Sequence, residues 1–308
     1  MTRQSTRSRP TWPMGVVLAV GTISALLAGS VIAVAALHGP SRLGGLPAAT
    51  ADSTERPVAQ AQLDQLLTEA SAARDSLQFP VGESRTTKHV QDSTTQENYD
   101  EVDELDSQGH VISLTMFSNG QLRAAMRFDA APHPALPIGQ VAATETAEKA
   151  ASGLGLVAVP PTLTYPDVSS GGWVAQWDRT ENGVAVRGDG TVVRVWADGR
   201  IAGVSHSFHV LAAPPSVIID AGSATQEVNA SLDQIVGSQR ADLTVQAPVL
   251  EWVRPNGAFD STRPIAEDPV CRLAWVVDVS GGPSDSFTLL TVFVDAGDGT
   301  ILGGDVVE

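Results

Sequence analysis

The sequence predicts an α+β fold: a single N-terminal transmembrane helix followed by repeated helix plus antiparallel-sheet units. Three observations predict it. Residues 14–37 carry no charge. Residues 173–208 alternate apolar and polar side chains around Asn-Gly and Asp-Gly pairs. The order helix, then strands, occurs more than once along the 308 residues.

Residues 14–37, MGVVLAVGTISALLAGSVIAVAAL, could cross a hydrocarbon core of about 30 Å at about 1.5 Å per residue. Arg3, Arg7 and Arg9 precede the run, and Trp12 stands where an interfacial aromatic belongs. The positive-inside bias keeps residues 1–13 in the cytoplasm as a short tail and exports the chain beyond Leu37. The expected location is therefore the plasma membrane, single-pass, with the C-terminal domain extracytoplasmic. The apolar stretch of a cleaved signal is normally about 7–15 residues, so an uncleaved signal-anchor is favoured. Ala33-Val34-Ala35 keeps cleavage and secretion open.

Residues 38–57 are rich in Gly, Pro, Ala, Ser and Thr and read as a flexible linker. A first unit, 58–130, opens with Leu63, Leu66, Leu67, Ala70, Ala73 and Leu77 at helical spacing, and Pro80 stops it. An antiparallel meander comes next, with Asn119-Gly120 as a hairpin turn. A second unit, 131–216, has a helix over 140–154 and then the hairpins of 173–208. A third, 217–308, has a helix over 228–236 introduced by the capping pattern Ser223-Ala-Thr-Gln226. Its strands fall at 249–254, 271–279 and 287–295.

The motifs of the second and third units resemble PepSY-type modules. Those modules occur in propeptides of thermolysin-like metallopeptidases and in bacterial envelope proteins. The resemblance rests on Gln176-Trp177 leading to Glu181-Asn-Gly-Val-Ala-Val-Arg187, then Gly190-Thr-Val-Val-Arg-Val and Ala197-Asp-Gly-Arg-Ile201. In the third unit it rests on Leu273-Ala-Trp-Val-Val and Val292-Phe-Val-Asp-Ala-Gly-Asp-Gly-Thr-Ile. It implies a small α+β fold, an extracytoplasmic setting and the binding or restraint of a peptidase or other partner. It brings no catalytic residues. Residues 58–130 could be a third related unit. The sequence holds no His-Glu-x-x-His, so a self-inhibiting propeptide is excluded.

Charge narrows the partners. With Arg3, Arg7 and Arg9 set apart, 35 acids face 16 bases, a net of −19 on the part expected outside. Such a field repels nucleic acid. Partners are expected to be the membrane, through residues 14–37, and a protein in the envelope.

The search for chemistry yields no catalytic, cofactor-binding or metal residues, and no cofactor. His206 and His209 are the one metal-like pair, but residues three apart on a strand face opposite sides. Asp295-Ala-Gly-Asp-Gly299 resembles a calcium loop without its alternating oxygens and terminal Glu. Asp189 and Asp198, each before a Gly, read as turn residues. Asp100, Glu101, Asp103, Glu104 and Asp106 read as a solvated face. Cys271 is the only cysteine, so no intrachain disulfide forms. The expected function is non-catalytic binding or regulation in the envelope. The alternative is a sensor or regulatory subunit of a membrane signalling complex.

Overall fold

A computed structural model describes residues 60–91, 97–129, 136–236, 243–259, 267–281 and 289–307. Three helices lie among them: α1 (Gln60–Leu77), α2 (Gln140–Gly153) and α3 (Ala221–Val236). The strands are β1 (Ser84–Gln91), β2 (Asn98–Leu105), β3 (Val111–Ser118), β4 (Gln121–Arg127), β5 (Leu163–Asp167), β6 (Gly172–Glu181) and β7 (Val184–Val195). They continue as β8 (Ile201–Ser207), β9 (Val210–Leu211), β10 (Leu243–Val245), β11 (Val249–Val253), β12 (Val270–Gly281), β13 (Leu289–Asp295) and β14 (Ile301–Val307).

The expected fold class is corrected here. All 14 strands belong to one mixed sheet, ordered β1-β2-β3-β4-β8-β7-β11-β12-β13-β14 along its main path. The separate helix-plus-sheet units do not exist as such, because their strands pair with one another. Strand β4 of the first segment pairs with β8 of the second through Ala125 and Val204. Strand β7 meets β11 of the third in a single parallel pair, Val186 with Trp252. Exposed strand edges seek pairing partners, and here each segment's edge is completed by the next. No helix among the described residues is long and apolar enough to cross a membrane. The transmembrane helix, and the signal-anchor built on it, are therefore no part of the described architecture. Residues 14–37, with the tail 1–13 and the linker 38–57, lie outside the described residues.

Local chemistry explains the elements. Asn119-Gly120 and Asn182-Gly183 both have positive φ at each residue, the requirement of a tight hairpin that matches strand twist. Helix α1 closes with Gln78 at φ 56 and a Phe79 N–H bond to the Arg74 carbonyl. Helix α2 closes with Gly155 at φ 70 and a Leu156 N–H bond to the Ala151 carbonyl. Both endings satisfy carbonyls the helix leaves free. Helix α3 begins at Ala221, earlier than the capping pattern implied, because Asp220 rather than Ser223 supplies the cap: its Oδ1 accepts the Ser223 N–H at 2.7 Å.

The helices cover one face of the sheet. Helix α2 buries Ala143, Ala147, Ala150 and Ala151 against Ala175, Trp177, Val193 and Val204. Helix α1 adds Leu66 and Ala70 over Val102 and Phe117. Helix α3 places Ala224, Val228 and Leu232 on Val277, Val279, Leu290, Val292 and Val294. The acidic run is not a solvated face. Glu101, Asp103 and Glu104 are buried. Glu104 holds Arg74 and Arg85 at 3.0 and 2.6 Å, and Lys88 Nζ reaches Asp103 at 2.5 Å and Glu101 at 3.2 Å. Buried carboxylates require such partners.

Candidate functional site

Strand β7 changes neighbours midway. Residues 190–195 pair with β8, whereas Val186 pairs with β11. The changeover lies at Gly188-Asp189-Gly190, where both glycines have positive φ, 79° and 138°. At Gly190 a Cβ would lie 2.0 Å from the Trp177 carbonyl oxygen, so only glycine fits. Asp189-Gly190 is thus a distortion inside a continuous strand, and the expected turn there is corrected. The cause is β8: after Ser207 it leaves β7, and the chain runs through Phe208 and His209 into β9, beside β12.

Asp189 fills the vacated edge. Its side chain is fully buried, at 0% exposure. One carboxylate oxygen accepts the His209 backbone N–H at 2.7 Å, and the other holds His209 Nδ1. Arg179 Nη1 donates to Asp189 and to the His209 carbonyl, both at 2.7 Å. An acceptor from Asp189 and a donor from Arg179 thereby meet the N–H and C=O of His209 as a neighbouring strand would. On the other ring nitrogen, Nε2 lies 3.2 Å from Glu97 and 3.0 Å from Arg254 Nη1. Arg254 in turn pairs with Glu267 at 2.8 Å.

These contacts set the charges. Burial alone would lower the His209 pKa, but its bonds to Asp189 and Glu97 outweigh burial and raise it above 6.5. The His209 bond, acting against burial and aided by Tyr99, holds the Glu97 carboxyl down at about 2. Burial opposes ionisation of Asp189, yet the bonds from His209 and Arg179 pull its pKa below the ordinary value. His209 thus lies between two carboxylates that favour its protonated form, while Arg254 Nη1, 3.0 Å from Nε2, works against it.

Beside the cluster lies an open cleft of about 430 Å³. One wall is the β6–β7 hairpin, with Arg179, Glu181 and Asn182; the other is 208–212 with Pro214, and Trp252 also lines it. Phe208 is 51% and Val210 67% exposed, a pair of apolar side chains open to solvent. The Arg179 guanidinium lies 3.6 Å from the centroid of the Phe208 ring, a cation–π contact that fixes the ring's face.

The structure separates the candidates considered in the sequence. His206 turns its Nδ1 to Thr191 at 2.9 Å, while His209 faces Asp189, so the two bind no common group. Burial, then the nearby Arg123, lowers the His206 pKa. Among the described residues no cluster of three His, Cys, Asp or Glu side chains could hold a metal ion. Asp295 accepts the Gly297 N–H at 2.7 Å and pairs with Arg272, and Asp298 accepts the Thr300 N–H at 3.0 Å, both as turn residues. Asp198 accepts the Arg200 N–H at 3.1 Å in the same way. Cys271 is fully buried, and burial pushes its thiol up to about 12, which leaves it protonated and inert. Sequence reasoning missed Asp189, Arg179 and Glu97 as a group. Their one visible sign was a buried-type Asp beside glycines in an otherwise apolar strand.

No family model matches the chain. No curated protein matches it. Among solved structures it is similar to the Bacillus megaterium YpeB C-terminal domain, with 13% sequence identity, 82% of this chain and 99% of that chain covered, and a TM-score of 0.40. A likeness that slight fixes neither fold nor function. The resemblance to PepSY-type modules stands only as a weak relation.

Proposed function

We propose that the protein is a non-catalytic binding or regulatory module of the cell envelope, and that the cleft beside His209 docks its protein partner. The observation that carries this reading is the pairing of exposed Phe208 and Val210 with a rigid charged frame beneath them. Exposed aromatics on a pre-organised support are the usual anchors of binding surfaces. Among the described residues, His209 beside the cleft is held between carboxylates and the buried Cys271 thiol stays protonated, which supports binding over nucleophilic chemistry. Export is supported by Arg3, Arg7 and Arg9 ahead of the uncharged run at 14–37.

The test is photo-crosslinking in the source cells. A benzoylphenylalanine replaces Phe208 in one variant and Val168, which is 97% exposed on a remote turn, in the other. The expected result is one discrete adduct at position 208 whose protein binds the purified chain and is left chemically unchanged. The same adducts at both positions, or turnover of the captured protein, would overturn the proposal.

A further inference from the structure

Strand β9 has one paired edge and one edge turned to the cleft. Val210 and Leu211 lie in parallel register with Val270 and Cys271 of β12, and the Ala212 N–H donates to the Cys271 carbonyl at 2.9 Å. In a parallel ladder alternate residues bond to the same neighbour. Val210 and Ala212 therefore serve β12, and the N–H and C=O of His209 and Leu211 face the other way. Those of His209 are taken by Asp189 and Arg179. Those of Leu211, one step on, belong to that same outward edge, and Leu211 is among the residues lining the cleft.

We propose that this edge receives an extended segment of a partner protein as an added strand, pairing at Leu211 and carrying alternating apolar and basic side chains. The inference rests on the docking role given to the cleft above and names what enters it. Three observations select the occupant. The backbone edge at Leu211 continues the line along which Asp189 and Arg179 imitate a strand, so an extended backbone completes a ladder already begun. Phe208 and Val210, two apart, present apolar side chains on one face, which suits every second residue of a strand. Charge decides the remaining positions. Arg179, His209 and Arg254 are almost buried and already matched by Asp189, Glu97 and Glu267, and Arg123 is turned to the Phe208 carbonyl, whereas the Glu181 side chain at the mouth is 45% exposed and only loosely paired, 3.9 Å from Arg179. The accessible charge at the rim is acidic. A second copy of this chain, with a net charge of −16, is repelled there, and a basic segment is drawn in.

The test uses purified protein and a capped heptapeptide alternating lysine and valine. Its comparators are the glutamate–valine peptide and two N-methylated lysine–valine peptides, one blocked along each backbone edge. Leu211→Pro removes one outward N–H and leaves the β12 ladder untouched. The expected results are that the lysine–valine peptide binds at least about tenfold tighter than its glutamate counterpart, that one N-methylated register loses about tenfold and the other does not, and that Leu211→Pro loses about tenfold. Retained binding by both N-methylated peptides, equal binding of the acidic peptide, or no binding of the lysine–valine peptide would overturn strand addition. If Phe208 still captures its discrete partner while the peptide fails, strand addition falls and the docking role stands.

Discussion

At the start of α2, the Ile138 N–H donates to the Ala197 carbonyl at 2.8 Å, and the Ile138 carbonyl accepts the Trp173 indole N–H at 3.0 Å. At the start of α3, Ile219 makes the same two bonds, to Ala296 at 2.8 Å and from Trp275 at 2.9 Å. Gly199 and Gly299 close the adjoining turns with positive φ, and each sits against its isoleucine. The two corners share a backbone frame and differ in filling. Beneath α2 the helix contributes four alanines; beneath α3 it contributes Ala224, Val228 and Leu232. Where the first corner has Trp196, stacked by Arg127 and Arg200, the second has Asp295, paired with Arg272. The lesson is that one backbone frame seats two helices whose buried faces differ in side-chain volume. Strand β7 also leads from the first corner into the Asp189–His209 cluster, where the two regions of the sheet meet.

The largest effect is expected where the regions join. Asp189→Asn keeps the shape and removes the charge that holds His209 and Arg179. It should cost about 3–5 kcal/mol, the usual penalty for stranding a buried charge, read as a lowered urea midpoint. A change within a few tenths of a kcal/mol would show that the join lies elsewhere. Next is Leu232→Ala, which opens a cavity under α3 and should cost about 3 kcal/mol. Ala147→Leu tests the other filling. Ala147 is fully buried in one cluster with Trp177 and Val193, so overpacking should cost about 1–3 kcal/mol. If Ala147→Leu were neutral, the tight packing expected of a fully buried alanine face would be wrong.

The smallest expected effect is the pH dependence of the join. His209 has a raised folded pKa, so its contribution is complete below about 6.5 and fades as pH climbs through the folded value. Glu97 has a depressed one, so its contribution is present above 4.5 and fades as pH falls towards about 2. Together they favour folding most between about 4.5 and 6.5. Urea midpoints across pH should show that plateau, and Glu97→Gln should remove its acid shoulder. An unchanged acid shoulder in that variant would assign the plateau to other groups.

Much of the secondary structure was legible. Two helices fall where apolar spacing placed them and the third ends as placed but begins seven residues earlier, and the Asn-Gly turns at 119–120 and 182–183 are local chemistry that a sequence displays directly. The assembly was not. Whether β4 ends a unit or pairs with β8 depends on an edge some 80 residues away, and no pattern within either strand encodes it. Asp189-Gly190 misled for a related reason. An Asp-Gly pair serves a turn or a distorted strand equally well, and the deciding partner, His209, lies 20 residues on. Strand β9, two residues long, carries no periodicity to detect. The acidic run looked solvated because its cations, Arg74, Arg85 and Lys88, come from other elements.

The most direct test is a pH titration of the two histidine rings by nitrogen-15 NMR. They stand three residues apart and should move in opposite directions. His209, locked to Asp189 and Glu97, should remain doubly protonated above pH 6.5, while His206, buried beside Thr191 and Arg123, should lose its proton below it. A neutral His209 at pH 6.5, or two rings titrating together, would contradict the raised His209 pKa that the Asp189 and Glu97 contacts imply.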